Sequence, residues 1–319
     1  MTHVEIPVRV ARIEMVADRI KSVRLMRTDG LPLPAFSAGS HVLVHLRAGS
    51  RTIKNPYSLA GPLHDTSWYE IAVLKAENSR GGSRFVHEQL HEGAQITISP
   101  PVSLFSLDLR ARKHLLIAGG IGITPIMSMA AQLSELGAPF ELHYCTRTHA
   151  SGAYLDALKE AYGSRLHHYE SARARRIDIE RLLPQQPLGT HLYICGPQAM
   201  IEDVMRQARD AGWPTQHLHA EHFAAPSGGH PFDVKLLKSG RTIHVKEDES
   251  ILQSLEDAGL TPPYLCRGGA CGQCETSVAS CDGSILHFDH YLSDEEKQAG
   301  NKIMICVSRL KGSRITLDL

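Results

Sequence analysis

Hydrophobic and polar positions along the first hundred residues follow the two-residue period of half-buried strands. Segments 5–17, 20–28, 40–47, 55–61, 68–75 and 94–100 alternate or run apolar, with glycine or proline between several of them. Short strands divided by such turns predict an antiparallel β-barrel. RFVHEQLH, 84–91, is the one clear helical pattern in this part. Near Arg110 the pattern changes. HLLIAGG is a short apolar run, and TPIMSMAAQLSELG behind it has a helical repeat. FELHYCT, SGAYLDALKEAYG, RLHHYES, IDIERLL, THLYICG and PQAMIEDVMRQARDAG continue the alternation, with Gly212 expected to stop the last helix. Strands alternating with helices imply a parallel sheet with right-handed crossovers. Beyond the small, flexible stretch 224–230, FDVKLLKSGRTIHV reads as a hairpin turning near Ser239 and Gly240. ESILQSLEDAG reads as a helix capped from Glu249 and Ser250. The expected fold is multidomain: an antiparallel barrel over 1–109, an α/β parallel-sheet domain over 110–223, a linker over 224–230 and an α+β domain over 231–319.

Composition narrows the class. A chain of 319 residues with 42% hydrophobic and 21% charged residues is long for one domain and ordinary for a globular protein. Formal net charge is zero, so nothing argues for nucleic acid or an anionic membrane as partner. No apolar run approaches the roughly 20 residues that cross a bilayer. The opening MTHVEIPVRV lacks the pattern of a secretory leader. Seven cysteines without a leader fit a reducing cytoplasm and metal ligation better than a disulfide framework.

The cysteines carry the strongest chemical signal. Cys266, Cys271 and Cys274 stand in PYLCRGGACGQC, a C-x4-C-x2-C spacing, and Cys306 follows in KIMICVSRL. This is the ligand spacing of a plant-type two-iron two-sulfur cluster. Thiolates are soft ligands, and the small residues Gly268, Gly269, Ala270 and Gly272 let backbone N–H groups approach the sulfurs. A zinc site is the rival, but zinc ribbons pair short knuckles on separate turns, whereas here three cysteines share one loop. The hairpin, helix and cysteine loop together match a β-grasp ferredoxin domain. Cys145, Cys195 and Cys281 are left over and are expected as small buried hydrophobes.

Three further segments suggest nucleotide chemistry. In Asn55-Pro56-Tyr57-Ser58-Leu59 a tyrosine ring beside a serine hydroxyl at a strand end suits the face and edge of a flavin; an ordinary strand with one buried aromatic is the alternative. Ser79-Arg80-Gly81-Gly82-Ser83 opens a helix, and its glycines and free N–H groups suit a phosphate; a plain Gly-Gly turn with a serine cap is the alternative. Gly119-Gly120-Ile121-Gly122-Ile123-Thr124-Pro125 joins an apolar strand to a helix, the type of junction that binds dinucleotide pyrophosphates. Cys195-Gly196-Pro197 ends a later strand at the same sheet edge.

In this order, YSL, RGGS, GGIGITP, YICGP and C-x4-C-x2-C…C resemble the phthalate dioxygenase reductase family over nearly the whole chain. The resemblance implies an NADH-dependent reductase with an FMN barrel, a nicotinamide-binding domain and a C-terminal ferredoxin. It implies that Tyr57 and Ser58 meet the flavin ring, with Asn55 and Leu59 beside it, and that Gly81, Gly82 and Ser83 hold the FMN phosphate. It puts Gly120, Gly122 and Thr124 on the NADH pyrophosphate, and Cys195, Gly196, Pro197 and Phe223 near the nicotinamide. It brings Thr146 and Arg147 to the adenosine ribose, where Arg147 is the candidate for meeting a 2′-phosphate. Tyr57, Ser58 and Cys195 are the expected catalytic residues. Two departures stand out. Asn55 replaces an arginine of the family pattern, with Lys54 or Arg51 as substitutes for its charge, and Pro101-Val102-Ser103-Leu104-Phe105 replaces a Pro-Arg-Asn-x-Phe segment.

Electron counting fits these parts. NADH yields two electrons together, a two-iron cluster accepts one, and a flavin stands between. The implied partner is a Rieske-type terminal oxygenase met transiently by a monomeric reductase, with a cytochrome P450 or other haem monooxygenase as the alternative. From residue 231 onward, ten Lys and Arg face thirteen Asp and Glu, a mildly acidic surface that would steer toward a basic partner. The 19 histidines, densest at 167–168 and 287–290, lack the spacing of a metal-binding helix and are read as surface or satisfied core residues.

Overall fold

The computed structural model describes residues 5–49, 51–77, 81–223 and 229–319. Ser79, Arg80, the side chain of Arg51 and residues 224–228 of the expected linker lie outside the described residues. The chain divides into two compact units, Met1–Phe223 and Ala224–Leu319.

The first unit opens with β1 (Ile6–Ala17), β2 (Ile20–Arg27), β3 (Ser40–Ala48), β4 (Arg51–Ser58), β5 (Tyr69–Leu74), helix α1 (Gly82–Glu88), β6 (Gln95–Ile98) and the short β7 (Val102–Ser103). All the pairings are antiparallel, in the order β4-β3-β6-β1-β2-β5, with β7 on β3. The two ends of this path meet where Leu59 bridges Ile71, so the sheet closes on itself as a barrel. Its interior holds Val8, Val10, Val23, Leu25, Val44 and Leu46, the inward halves of alternating strands.

The same unit continues with β8 (Lys113–Gly119), α2 (Ile123–Glu135), β9 (Phe140–Thr146), α3 (Leu155–Tyr162), β10 (Leu166–Glu170), α4 (Ile179–Leu182), β11 (Thr190–Cys195), α5 (Gln198–Asp210) and β12 (Leu218–Glu221). The sheet runs β10-β9-β8-β11-β12 and every pairing is parallel. Burial on both faces explains the continuous apolar runs of β8 and β11. The sequence reading did not include β12: LHAE is four residues with two polar ones, too short for periodicity to declare it. The helix expected over 177–183 is a four-residue turn, Ile179–Leu182, capped by Asp178. One buried cluster crosses from the barrel to the sheet, joining Ala38, Ala72 and Phe105 to Ile126, Met129 and Tyr193. Gly39 N–H donates to Ser128 Oγ at 3.0 Å and Tyr154 Oη to Glu70 Oε1 at 2.7 Å across the same boundary.

The second unit holds β13 (Phe232–Leu236), β14 (Thr242–Val245), α6 (Ile251–Asp257), β15 (Glu275–Cys281), β16 (Ser284–Leu286), α7 (Asp294–Ala299), β17 (Lys302–Met304), β18 (Arg309–Lys311) and β19 (Arg314–Leu317). Its main sheet is mixed, β14-β13-β19-β15-β17, with only β13 and β19 parallel. Ser250 Oγ accepts from Gln253 N–H and caps α6, which packs Ile251, Leu252 and Leu255 inward. Among the described residues no helix is long and apolar enough to cross a membrane.

Candidate functional site

The first constellation lies at the end of β4. Asn55 and Tyr57 share a strand face by the two-residue period, and Asn55 Nδ2 donates to Tyr57 Oη at 3.4 Å. The same amide lies against Gly82, where any Cβ would run into it. A Cβ at position 82 would displace the Asn55 amide, so glycine lets that amide lie directly on the buried start of α1. Gly81 adopts φ 108°, a conformation reserved for glycine. Ser83 Oγ accepts from Ala76 N–H at 3.2 Å. Leu59 is fully buried in the barrel and contributes the closing bridge.

The second constellation lies at the carboxyl edge of the parallel sheet. A Cβ on Gly122 would run into the Cys195 carbonyl, and one on Gly119 would stand 2.6 Å from Pro197 Cδ. The junction after β8 and the Cys195-Gly196-Pro197 strap thus pack closely, Gly122 against the Cys195 backbone and Gly119 against the Pro197 ring. Gly120, at φ 54°, has open space where its side chain would be. Thr124 is buried and its hydroxyl donates to the Ile121 carbonyl at 3.2 Å. Thr146 Oγ1 shares a 2.8 Å hydrogen bond with His168 Nε2. Arg147 is exposed, and its carbonyl accepts from Ala172 N–H. Phe223 is 43% exposed.

Sequence reasoning passed over Glu221. Its register partner is Cys195 on the neighbouring strand, and Ser58 hydrogen-bonds its carboxyl. The ends of β4, β11 and β12 therefore bring Ser58, Cys195 and Glu221 together. Burial pushes the Glu221 carboxyl up to about 8, against the opposing pull of the Ser58 hydroxyl. Burial, then the neighbouring Glu221, raises the Cys195 thiol well above its ordinary value. Both groups hold their protons at neutral pH, and Glu221 Oε2 has no hydrogen-bond partner. The signal that could have found Glu221 is its position, a carboxylate ending a strand of a parallel sheet.

The third constellation is the cysteine loop of the second unit. Cys274 and Cys306 bring their sulfurs to 3.0 Å, and the Cys271 thiol hydrogen-bonds Cys266. The thiols thus stand as two pairs, the arrangement two irons require. Among the described residues no three His, Cys, Asp or Glu side chains gather as a single metal ion would need. Cys271, then the backbone N–H groups of Gly268, Ala270 and Cys271, hold the Cys266 thiol below its ordinary value despite its burial. Gly268 N–H reaches Cys266 Sγ at 3.3 Å. These donors to sulfur and the paired thiols fit a two-iron cluster. Arg267 holds φ 54° and is fastened by an ion pair to Glu256 and by its guanidinium 4.2 Å over the Tyr264 ring.

The other cysteines and the histidine groups differ in burial. Cys195 is buried and Cys145 half-buried, with burial pushing the Cys145 thiol up to about 12. Cys281, expected as a buried hydrophobe, is exposed on β15: it lies in the strand's outward, polar end and its thiol donates to the Gly283 carbonyl. His167 stacks on His143 at 4.7 Å. His287, read as a surface or satisfied core residue, is half-buried with Nδ1 3.4 Å from Asp289 Oδ1 and no hydrogen bond to either ring nitrogen.

Comparison with known proteins bears on these sites. A family profile described as the N-terminal domain of dimethylamine monooxygenase subunit DmmA-like proteins matches residues 94–218. A second, the 2Fe-2S iron-sulfur cluster binding domain, matches residues 234–311. The solved structure of phthalate dioxygenase reductase, described as a modular structure for electron transfer from pyridine nucleotides to [2Fe-2S], superposes with a TM-score of 0.87 at 35% identity. The match covers 99% of this chain and 98% of that one. The chain belongs to the phthalate dioxygenase reductase family. It is an iron–sulfur flavoprotein oxidoreductase. This reductase is also 48% identical to the haem-dependent oxidative N-demethylase beta subunit of Ectopseudomonas mendocina, over 90% of each chain. It is 44% identical to the carnitine monooxygenase reductase subunit of Escherichia coli, over 98% of each.

Proposed function

We propose that this protein is the NADH-dependent reductase component of a Rieske-type oxygenase system, with FMN in the barrel and a two-iron two-sulfur cluster in the second unit. The observation that carries this reading is the pair of thiol pairs, Cys266 with Cys271 and Cys274 with Cys306, on the same chain as a glycine-lined sheet edge. The domains divide as an FMN-binding barrel over 1–109, an NAD-binding domain over 110–223, a linker over 224–230 and a ferredoxin domain over 231–319. When bound, the flavin supplies the step between the two-electron donor NADH and the one-electron cluster.

The chain's own residues prepare the rest. Tyr57 and Ser58 flank the flavin ring, and Gly81, Gly82 and Ser83 receive its phosphate. Asn55, where the family pattern implied by the resemblance has arginine, contributes a neutral amide, so phosphate binding leans on backbone N–H groups. Gly120, Gly122 and Thr124 shape the pyrophosphate loop. Cys195, Gly196 and Pro197 with Phe223 bound the nicotinamide position. Ser58 and protonated Glu221 present uncharged hydrogen-bonding groups beside it, which avoids a buried unpaired charge. Thiolate ligation of a cluster by Cys266, Cys271, Cys274 and Cys306 supports a reducing, cytoplasmic setting. The reductase acts as a monomer, and its meeting with the oxygenase is transient, as electron-transfer encounters bury little surface.

A second reading, a haem-dependent oxygenase as acceptor, is supported by the 48% identity to the haem-dependent oxidative N-demethylase beta subunit. Stopped-flow reduction of a purified Rieske oxygenase and of a haem N-demethylase by the NADH-reduced protein separates the two. The first reading expects the Rieske centre to be reduced faster. Preferential reduction of the haem would transfer the protein to the second.

A further inference from the structure

Ile53, Asn55 and Tyr57 lie on one face of β4 by the two-residue period, and that face meets the start of α1. A Cβ on Gly81 would stand 2.9 Å from Ile53 Cδ1. One on Gly82 would stand 3.5 Å from Ile53 Cγ2 and 3.0 Å from Asn55 Cγ, with the amide nitrogen nearer still. Asn55 Nδ2 in turn donates to Tyr57 Oη at 3.4 Å. The Asn55 carboxamide therefore bridges strand and helix, with Gly82 on one side and the Tyr57 hydroxyl on the other. Ile53, Tyr57 and Phe85, the last from α1, pack on the barrel core around this bridge.

The two glycines of the turn are glycine for different reasons. Gly81, at φ 108°, holds a backbone conformation that other residues avoid. Gly82 is the first residue of α1 and its φ lies outside the left-handed region. Alanine is the better helix former there, so the backbone does not call for glycine. The amide does: an alanine methyl would take the place of Asn55 Nδ2. Asparagine also differs in reach from the arginine of the family pattern. A guanidinium stands on a three-methylene stem and brings charge to a phosphate. The Asn55 amide is neutral, and it ends at Gly82 and Tyr57 Oη.

The Tyr57 ring is half-buried, with the barrel core beneath it. Its outer end is fastened only where the amide meets the hydroxyl, and a stacked partner depends on the tilt of such a ring. We propose that Asn55 is a positioning residue for the flavin ring: its carboxamide clasps Gly82 and the Tyr57 hydroxyl, sets the tilt of the Tyr57 ring, and does not serve the phosphate. Gly82 is small so that the clasp can close. This inference deepens the flavin-reductase reading and rests on it.

Titration of flavin-free, full-length protein with FMN and with riboflavin, followed by flavin fluorescence, provides the test. A phenol ring stacked on an isoalloxazine quenches that fluorescence, so the signal reports ring placement without turnover. Far-UV circular dichroism checks that each variant is folded. Asn55→Ala and Gly82→Ala should each weaken riboflavin roughly threefold to thirtyfold and leave the bound flavin brighter. Asn55→Ala should weaken FMN by the same factor as riboflavin, because the phosphate is not what it serves. The double variant should bind riboflavin no more weakly than Asn55→Ala alone, since the methyl then has room. A loss in Asn55→Ala confined to FMN would overturn the inference. So would losses that multiply in the double variant, or single variants with unchanged affinity and fluorescence. If the unaltered protein binds neither flavin, the flavin reading itself fails and takes this inference with it.

Discussion

At the scale of single residues, Glu221 is the most consequential side chain. Its ordinary carboxyl value of 4.5 rises to about 8 through burial, with Ser58 as its hydrogen-bond partner. Between those values the folded chain binds a proton that the unfolded chain has lost. This contribution therefore falls as pH rises from about 4.5 and is gone above about 8. Glu221→Gln removes that titration. The difference in melting temperature between Glu221→Gln and the unaltered protein should grow in favour of glutamine from pH 5 to pH 8.5. The shift should correspond to a few kcal/mol, at roughly 2–4 °C per kcal/mol for a unit of this size. A constant difference across that range would mean the carboxyl is not held neutral. Residue identity made the four ligand cysteines legible in the sequence, because their spacing is itself the chemistry. Glu221 and Cys281 were less legible. The first becomes informative only when three strand ends converge, and the second depends on which face of β15 turns outward.

At the scale of elements, function depends on close backbone approaches. The strand–helix junction after β8 packs against the strap after β11 with no room for a methyl group at Gly122. Gly122→Ala should cost about 1–3 kcal/mol through overpacking and raise the KM for NADH, read by thermal melting and steady-state kinetics. Gly120→Ala meets open space and should carry only the cost of its left-handed backbone, about 1–2 kcal/mol. A larger KM effect from Gly120→Ala than from Gly122→Ala would contradict the assigned junction. The long strands and the helices α2 and α5 were readable from periodicity because each buries a stripe over several turns. Short elements were not: β12 holds only four residues, and the expected 177–183 helix reduces to one turn before Pro184.

At the scale of the whole molecule, the sequence reading separated the first 223 residues into barrel and sheet by a change of period. The structure joins those parts through one buried cluster and cross-boundary hydrogen bonds, which a single-chain pattern cannot display. The division of labour along the chain makes the steps separable by mutation. Cys274→Ser removes one ligand of a thiol pair in the second unit and leaves Ser58, Cys195 and Glu221 untouched. NADH should still reduce the flavin in that variant within about twofold of the normal rate, while reduction of cytochrome c should drop to background. Normal cytochrome c reduction would place the electron exit elsewhere.

The central claim is that a flavin and a thiolate-held di-iron cluster act in series on one polypeptide. Anaerobic addition of NADH to the reconstituted protein, followed by optical and low-temperature paramagnetic resonance spectra, tests it most directly. The account predicts bleaching of both flavin and cluster absorbance and a reduced-cluster resonance. Flavin bleaching with an unchanged cluster spectrum and no resonance would contradict it.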